Sequence, residues 1–195
     1  MNGTLVLVVG LAVFLGAHST RIVAEGWRTR RIARLGEAKW KALYSIVSIA
    51  GLVALVWGYG LARAEPVVIW TPPVWTRHLA VLLTIPSFIL LAAAYVPGTR
   101  IKAAVGHPMV LGVKVWALAH LISNGTLADV LLFGAFLVWS VADFASARRR
   151  DRAAARAYAT APIARDLIAV AVGLAAWAAF AFYLHALLIG VRPLG

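Results

Sequence analysis

The side chains best suited to chemistry in this chain are histidines. There are five, and they occur at widely separated positions: His18, His78, His107, His120 and His185. His107 and His120 lie with Lys114 in the apolar segment 106–125, which ends at the turn signal Asn124-Gly125. A neutral imidazole can bind a metal ion, and an ionisable group within an apolar, membrane-length stretch usually marks a functional site.

Several other kinds of chemistry are excluded by the residues that the chain lacks. It has no cysteine, which excludes cysteine-ligated haem, zinc–cysteine sites and iron–sulfur clusters. It has no P-loop, G-x-S-x-G or H-E-x-x-H motif, so NTPase, serine hydrolase and zincin activities have no support. The basic residues that give the net charge of +12 lie between the apolar runs. This arrangement indicates anionic lipids, and not nucleic acid, as their partners.

The apolar runs predict the fold class. The chain is 63% hydrophobic, against roughly 45–50% for soluble domains. Crossing a bilayer takes about 20 apolar helical residues. The sequence therefore predicts one all-α domain over 1–195, a polytopic membrane helical bundle of six transmembrane helices. Their expected bounds are about 3–20, 42–62, 78–98, 108–124, 127–146 and 164–191.

The basic residues predict the orientation of the bundle. Of the 19 lysines and arginines, fifteen fall in alternate connections, mostly in loops 21–41 and 148–165, and three fall on the opposite side. Positive residues concentrate in cytoplasmic loops. We expect these two loops to be cytoplasmic and both termini to lie on the non-cytoplasmic side.

The Asn124-Gly125 turn predicts which acids lie level with the histidines. Reflecting the sequence about this turn puts Asp129 level with His120 and Asp143 level with His107. A carboxylate there could orient a metal-bound imidazole. Both acids could equally cap the ends of the fifth helix.

Lys114 follows His107 by seven residues, so the two share a helical face. At this depth its ammonium group could bind an anionic group such as a propionate, or extend toward the interface. His78 and His185 lie toward the other side of the membrane and are expected to be interfacial or packing residues.

Several motifs carry a resemblance to a known family. They are His18-Ser19, Gly106-His107-Pro108, Gly112, the run WALAHLISNG over 116–125, and LGEAKWKALYSIVSIAGL over 35–52. With these the chain resembles the NnrU family of bacterial membrane proteins over nearly its whole length. The resemblance implies an inner-membrane location and a link to denitrification, with nitrite or nitric oxide reductase components as partners.

That family is similar to the haem-containing zeta-carotene isomerase, a membrane enzyme. This likeness implies a haem b cofactor with His18 and His120 as iron ligands, and His107 as a further functional histidine and the alternative ligand. The wider cofactor site would include Lys114, Trp116, Asn124 and Asp129. An enzyme of this kind would be a haem-dependent isomerase or oxidoreductase. Ala117 stands where the isomerase has a cysteine implicated in ligand switching, so that switch is excluded here.

Helix depth favours a different pair of ligands. His120 lies thirteen residues after His107, about 20 Å along a straight helix. Two iron-bound imidazole nitrogens lie only about 4 Å apart, given bonds of ~2 Å. Straight helices would therefore match His18 with His107, and His120 with His78 or His185. The resemblance instead pairs His18 with His120.

Two other functions fit the sequence less closely. A methyltransferase of the isoprenylcysteine type would use the His107-Pro108 pair to bind S-adenosylmethionine and act on a hydrophobic small molecule. However, the R-H-P-x-Y context of those enzymes is replaced here by Gly106 and Val110. The other alternative is a non-catalytic assembly partner for a reductase.

Overall fold

In the computed structural model, residues 2–159 and 161–194 are described, and this part of the chain is helical with no strand. It contains nine α-helices and one π-helical turn at Phe180–Leu184. The helices are α1 (Gly3–Val23), α2 (Glu25–Leu35), α3 (Glu37–Ala64), α4 (Val74–Tyr95), α5 (Arg100–Val105), α6 (Pro108–Ser123), α7 (Leu127–Ala153), α8 (Ala164–Ala179) and α9 (His185–Ile189).

Five helical segments are long and apolar enough to cross a membrane. They are α1, α3, α4, α7 and the continuous segment Ala164–Ile189, whereas α6 has only 16 residues. Apolar side chains also cover their outer faces: Ile46, Val53 and Val56 of α3 are 60–64% exposed. Such surfaces suit lipid and not water. The all-α membrane fold predicted from the sequence is confirmed, with five of the six expected helices reaching spanning length.

The helix boundaries differ from the prediction mainly in the basic segments. The predicted loop 21–41 contains the whole of α2, and α7 continues to Ala153 where its end was expected near 146. Arginine and alanine are good helix formers, so the run 147–153 continues the helix. Arg150 Nη1 also donates a 2.7 Å hydrogen bond to Ser146 Oγ one turn earlier.

The chain forms two compact units. Unit 1 contains Met1–Trp70 and Gly125–Asp143, and unit 2 contains Thr71–Asn124 and Phe144–Gly195. The first part of α7 therefore belongs to unit 1 and its last part to unit 2.

In unit 1, glycines bring α1 and α3 into close contact. A Cβ atom at Gly10 would overlap the backbone of Leu55, and one at Gly58 would overlap the backbone of Leu7. Leu7 and Leu11 are buried in this contact. Because lipid tails are as apolar as leucine, close backbone approach at small residues is what holds membrane helices together.

In unit 2, α4 packs against both α6 and α8. Ser87 Oγ donates a 2.8 Å hydrogen bond to the Gly112 carbonyl of α6. On the α8 side, Trp177 Nε1 donates to Thr84 Oγ1 at 3.1 Å. Hydrogen bonds of this kind satisfy polar groups that water cannot reach, and they fix the position of α6, which carries His107 at its start and His120 near its end.

Candidate functional site

His18 lies near the end of α1, in an aromatic part of unit 1. Its Nδ1 atom is 2.7 Å from the Phe14 carbonyl oxygen. A carbonyl oxygen only accepts, so Nδ1 carries the proton and Nε2 carries the lone pair. The ring lies 4.3 Å from the Phe14 ring and 5.3 Å from the Tyr44 ring, between centroids. The Trp139 ring is edge-on at 6.1 Å.

Three polar atoms of unit 1 are buried without a hydrogen-bond partner within the described part of the chain: Glu25 Oε2, Ser48 Oγ and Trp139 Nε1. Glu25 Oε2 lies 3.6 Å from Arg21 Nε, and the Ser48 hydroxyl interacts with the Tyr44 hydroxyl one helical turn earlier. Trp139 Nε1 belongs to the ring that faces His18 edge-on. An unpaired buried donor costs roughly 1–3 kcal/mol, so Trp139 Nε1 marks a place beside His18 where a polar group of a bound molecule would fit.

An open apolar groove of about 500 Å³ runs between α1 and α7 beside this cluster. Its walls include Leu15, Gly16, Ser19, Gly134, Val138 and Trp139. A Cβ atom at Gly16 or at Gly134 would meet nothing within 4 Å. Unlike the glycines between α1 and α3, these two leave space that no helix fills.

His120 is oriented in the same way as His18, within unit 2. Its Nδ1 atom is 2.9 Å from the Trp116 carbonyl oxygen, and the two rings are 5.1 Å apart. Asn124 Nδ2 donates to the His120 carbonyl oxygen at 2.9 Å. Both residues predicted beside His120 on α6 therefore contact it, and its lone pair is again on Nε2.

His107, at the start of α6, is instead bound to a carboxylate. Its Nε2 atom is 2.8 Å from Asp151 Oδ2, and the Tyr158 hydroxyl donates to the same oxygen at 2.7 Å. Asp151 is 7% exposed, and Arg148 Nη1 lies 4.0 Å from its Oδ2. Burial raises the pKa of the Tyr158 hydroxyl, and the hydrogen bond to Asp151 raises it further, so Tyr158 remains a donor at neutral pH.

Asp151 and Tyr158 were missed by the sequence analysis, which placed Asp143 level with His107. Asp151 lies eight residues beyond Asp143, on the part of α7 that was expected to be loop. One signal was available in the sequence. Asp151 is the single acid within a run of arginines. Arginines clustered at a helix end favour a carboxylate close to them on the same helix.

Asp129 caps α7, which is one of the two roles expected for it. The Thr126 backbone N–H and hydroxyl donate to Asp129 Oδ2 at 3.0 and 2.6 Å, and Tyr59 donates to Oδ1 at 2.6 Å. Thr126 Oγ1 in turn accepts from the Asp129 N–H at 3.3 Å. This reciprocal pair is a capping box.

The remaining predicted polar residues have other partners. Lys114 Nζ lies 5.6 Å from the centre of the Phe144 ring, and that ring is also edge-on to His107 at 6.4 Å. Lys114 and His107 thus share a face of α6, as their spacing predicts. His185 Nδ1 donates to the Val191 carbonyl at 2.7 Å, and His78 is exposed.

A bare metal ion has no site of the usual kind here. Across residues 2–159 and 161–194, no three histidine, aspartate or glutamate side chains come together in a way that could hold one. A haem iron would need only one or two protein ligands, and His18 and His120 each present one oriented ring.

Comparison with known proteins gives one match. No curated protein and no solved structure matches the chain. One family model matches it over residues 6–193, and its description is NnrU protein. Since the match covers nearly every residue, the chain belongs to the NnrU family of membrane proteins.

Proposed function

We propose that the protein is an integral membrane protein that binds haem b, with His18 and His120 providing nitrogen ligands for the iron. The observation that carries the proposal is the surroundings of His18. The imidazole is fixed by the Phe14 carbonyl, and the ring that carries the unpaired Trp139 Nε1 and an open groove lie beside it.

The hydrogen bond at Nδ1 prepares each histidine for ligation. Metal-binding histidines generally donate their other ring N–H to a carbonyl or carboxylate, which fixes the ring and raises the basicity of the ligating nitrogen. His18 and His120 both make this bond to the carbonyl four residues earlier. His107 could bind iron through Nε2 only by giving up Asp151, so it remains the alternative ligand.

When bound, haem b supplies one-electron redox chemistry. The residues of this chain contribute orientation and an aromatic surrounding: the rings of Phe14, Tyr44 and Trp139 pack around the His18 ring. Ligation of the iron by both histidines would favour electron transfer, or a reaction that begins when one histidine leaves the iron. In line with the family resemblance, we also propose that the protein lies in the bacterial inner membrane and supports nitrite and nitric oxide reductases.

The test is a reduced-minus-oxidised absorption spectrum of the purified full chain, with haem content measured per protein. We expect the bands of a low-spin b-type haem in the wild type. His18→Ala and His120→Ala should each lose haem or shift the iron to a high-spin spectrum, because each would remove one proposed iron ligand. A wild-type protein produced with ample haem that shows no haem bands would refute the proposal.

We also propose that α6 crosses the membrane with the other five segments, with the basic segments cytoplasmic. Its 16 residues extend about 24 Å, close to the ~30 Å hydrocarbon thickness. Because the chain has no cysteine, single-cysteine variants can test this directly. A membrane-impermeant thiol reagent applied to intact cells should label Thr71→Cys but neither Thr29→Cys nor Ala157→Cys, an exposed position after α7. Labelling of Thr29→Cys and not Thr71→Cys would overturn the orientation. Labelling of Ala157→Cys together with Thr71→Cys would show that α6 does not cross.

A further inference from the structure

We propose that α2 lies in the surface of the membrane and binds the phosphate groups of anionic phospholipids through three arginines: Arg30, Arg31 and Arg34. The inference goes beyond the proposed haem function and does not depend on it. It gives a partner to a helix that has no buried residue of its own.

Helix α2 is tied at both ends to helices of membrane length. Ala24 alone separates it from α1, and Gly36 alone separates it from α3. Neither linking residue is helical, since Ala24 has φ −138° with ψ 37° and Gly36 has φ 80°, so α2 continues neither neighbour. Because α1 and α3 are both long and apolar enough to cross a membrane, neither end of α2 can lie far from the membrane surface.

Apolar and aromatic side chains give α2 a side that suits the interfacial zone of a bilayer. Trp27 is 42% exposed, and Leu35, eight residues later and on the same half of the helix, is 37% exposed. The Trp27 ring contacts the Trp40 ring of α3 edge-on, with 5.7 Å between centroids. Tryptophan is enriched where lipid headgroups meet acyl chains, so this side of α2 is expected to face the bilayer.

The three arginines are exposed, and no ion pair in the described part of the chain includes them. The acids of the same segment bind other cations. Glu25 lies 3.4 Å from Arg28, and Glu37 lies 2.8 Å from Lys41. No other acid occurs within 24–41. The positive charge of the three guanidinium groups is therefore available to an anion outside the chain.

The spacing of the arginines suits phosphate groups at the level of Trp27. Arg30 and Arg34 lie one helical turn apart and therefore on the same face of α2. Arg31 Cζ lies 5.5 Å from the centre of the Trp27 ring, so the third guanidinium group lies beside an interfacial side chain. A guanidinium group can bind two phosphate oxygens at once through paired N–H donors.

A phospholipid fits these features better than a soluble polyanion. Its phosphate would meet the arginines while its acyl chains cover Trp27 and Leu35, whereas RNA offers no apolar layer for these side chains. Each basic residue near an anionic leaflet adds to the attraction. Lipids with a net negative charge should therefore bind more tightly than zwitterionic lipids, whose phosphate charge is offset by an amine.

The first experiment compares two lipids on the full-length protein in detergent. Phosphatidylglycerol and phosphatidylcholine with the same acyl chains are titrated, and native mass spectrometry gives the apparent Kd of the first bound lipid. The double variant Arg30→Gln with Arg34→Gln should weaken phosphatidylglycerol binding by about tenfold, in the range expected for two arginines at an anionic surface. Its affinity for phosphatidylcholine should stay within about twofold of wild type.

A matched control removes the same charge elsewhere. Arg77→Gln with Arg192→Gln changes two exposed arginines outside α2 and should leave the affinity for both lipids unchanged. Equal losses of phosphatidylglycerol binding in the two double variants, or no loss in either, would overturn the proposal. An RNA oligonucleotide or a glutamate-rich peptide that binds the wild type more tightly than phosphatidylglycerol would assign the arginines to a soluble partner instead.

A second experiment tests the position of α2 and stays decisive if the arginine variants do not fold. Because the chain has no cysteine, Leu35→Cys and Thr29→Cys can each carry one fluorophore in lipid nanodiscs. Thr29 lies about a third of a turn from Leu35 around the helix. A quencher attached near the lipid headgroup should quench the label at 35 at least twice as strongly as the label at 29. Equal quenching would contradict an α2 that faces the bilayer through Leu35, whatever the haem content of the same samples.

Discussion

His18 and His107 are both histidines near the ends of helices, but the groups around their Nε2 atoms differ. At His18 the ring is fixed through Nδ1, and the ring packs among aromatic side chains with no carboxylate at Nε2. At His107 the Nε2 atom is held by a buried carboxylate that also binds a tyrosine. The first arrangement leaves the imidazole available to a ligand, and the second uses it to hold together α6, α7 and the segment after α7.

The largest predicted effect is a difference in bound haem between the His18→Ala and His107→Ala variants. His18→Ala should remove most bound haem because it removes an iron ligand, whereas His107→Ala should retain it. Haem per protein, measured as the pyridine complex, is the readout. If His107→Ala loses haem and His18→Ala keeps it, the assignment of the two roles is reversed.

The next effect concerns the carboxylate of the His107 network. Asp151→Asn should lower the free energy of unfolding by about 2 kcal/mol, since hydrogen bonds to a buried charged group are worth roughly 1.5–3 kcal/mol. Detergent unfolding followed by circular dichroism measures this. Asp143→Asn is the control, because Asp143 is partly exposed whereas Asp151 is buried, and it should change stability little. Equal losses in the two variants would show that Asp151 has no special role.

Tyr158→Phe should have a smaller effect, about 1 kcal/mol, because it removes one hydrogen bond to Asp151. The pKa of Tyr158 is raised in the folded protein. Its stabilisation is therefore fully present below the ordinary tyrosine pKa of about 10 and is lost as pH rises through the higher folded value. The difference between wild type and Tyr158→Phe should stay constant from pH 7 to 9 and shrink at more alkaline pH. A difference that disappears below pH 9 contradicts this.

The smallest effect should come from Lys114. Its contact with the Phe144 ring is a cation–π interaction worth roughly 0.5–1 kcal/mol, so Lys114→Met should destabilise the protein by about that amount. Haem content should not change. A loss of haem in Lys114→Met would show instead that Lys114 binds an anionic group of the cofactor.

The helices could be predicted from the sequence because their signals are local. Apolar runs of spanning length and arginine-rich connections need no knowledge of the fold, and they gave the all-α membrane class and the approximate helices. The orientation of His120 was also partly accessible, since Trp116 and Asn124 lie one turn to either side of it on α6.

The partner of His107 could not be predicted because it depends on where α7 ends and how it aligns with α6. The arginine-rich composition of 148–165 predicts a loop, which leaves Asp151 outside the expected helix and Asp143 as the acid nearest to His107. The segment 154–159 returns Tyr158 to the same carboxylate, and no spacing rule gives the path of such a segment.

The amino-acid sequence was therefore enough to predict a chain of membrane helices with histidines in or beside the apolar segments. Only the tertiary structure decided which histidine is free to bind and which is already bound. Hydropathy and charge are properties of each segment alone. Whether a histidine Nε2 is bound by a carboxylate, as at His107, or lies among aromatic rings, as at His18, depends on contacts between residues distant in sequence.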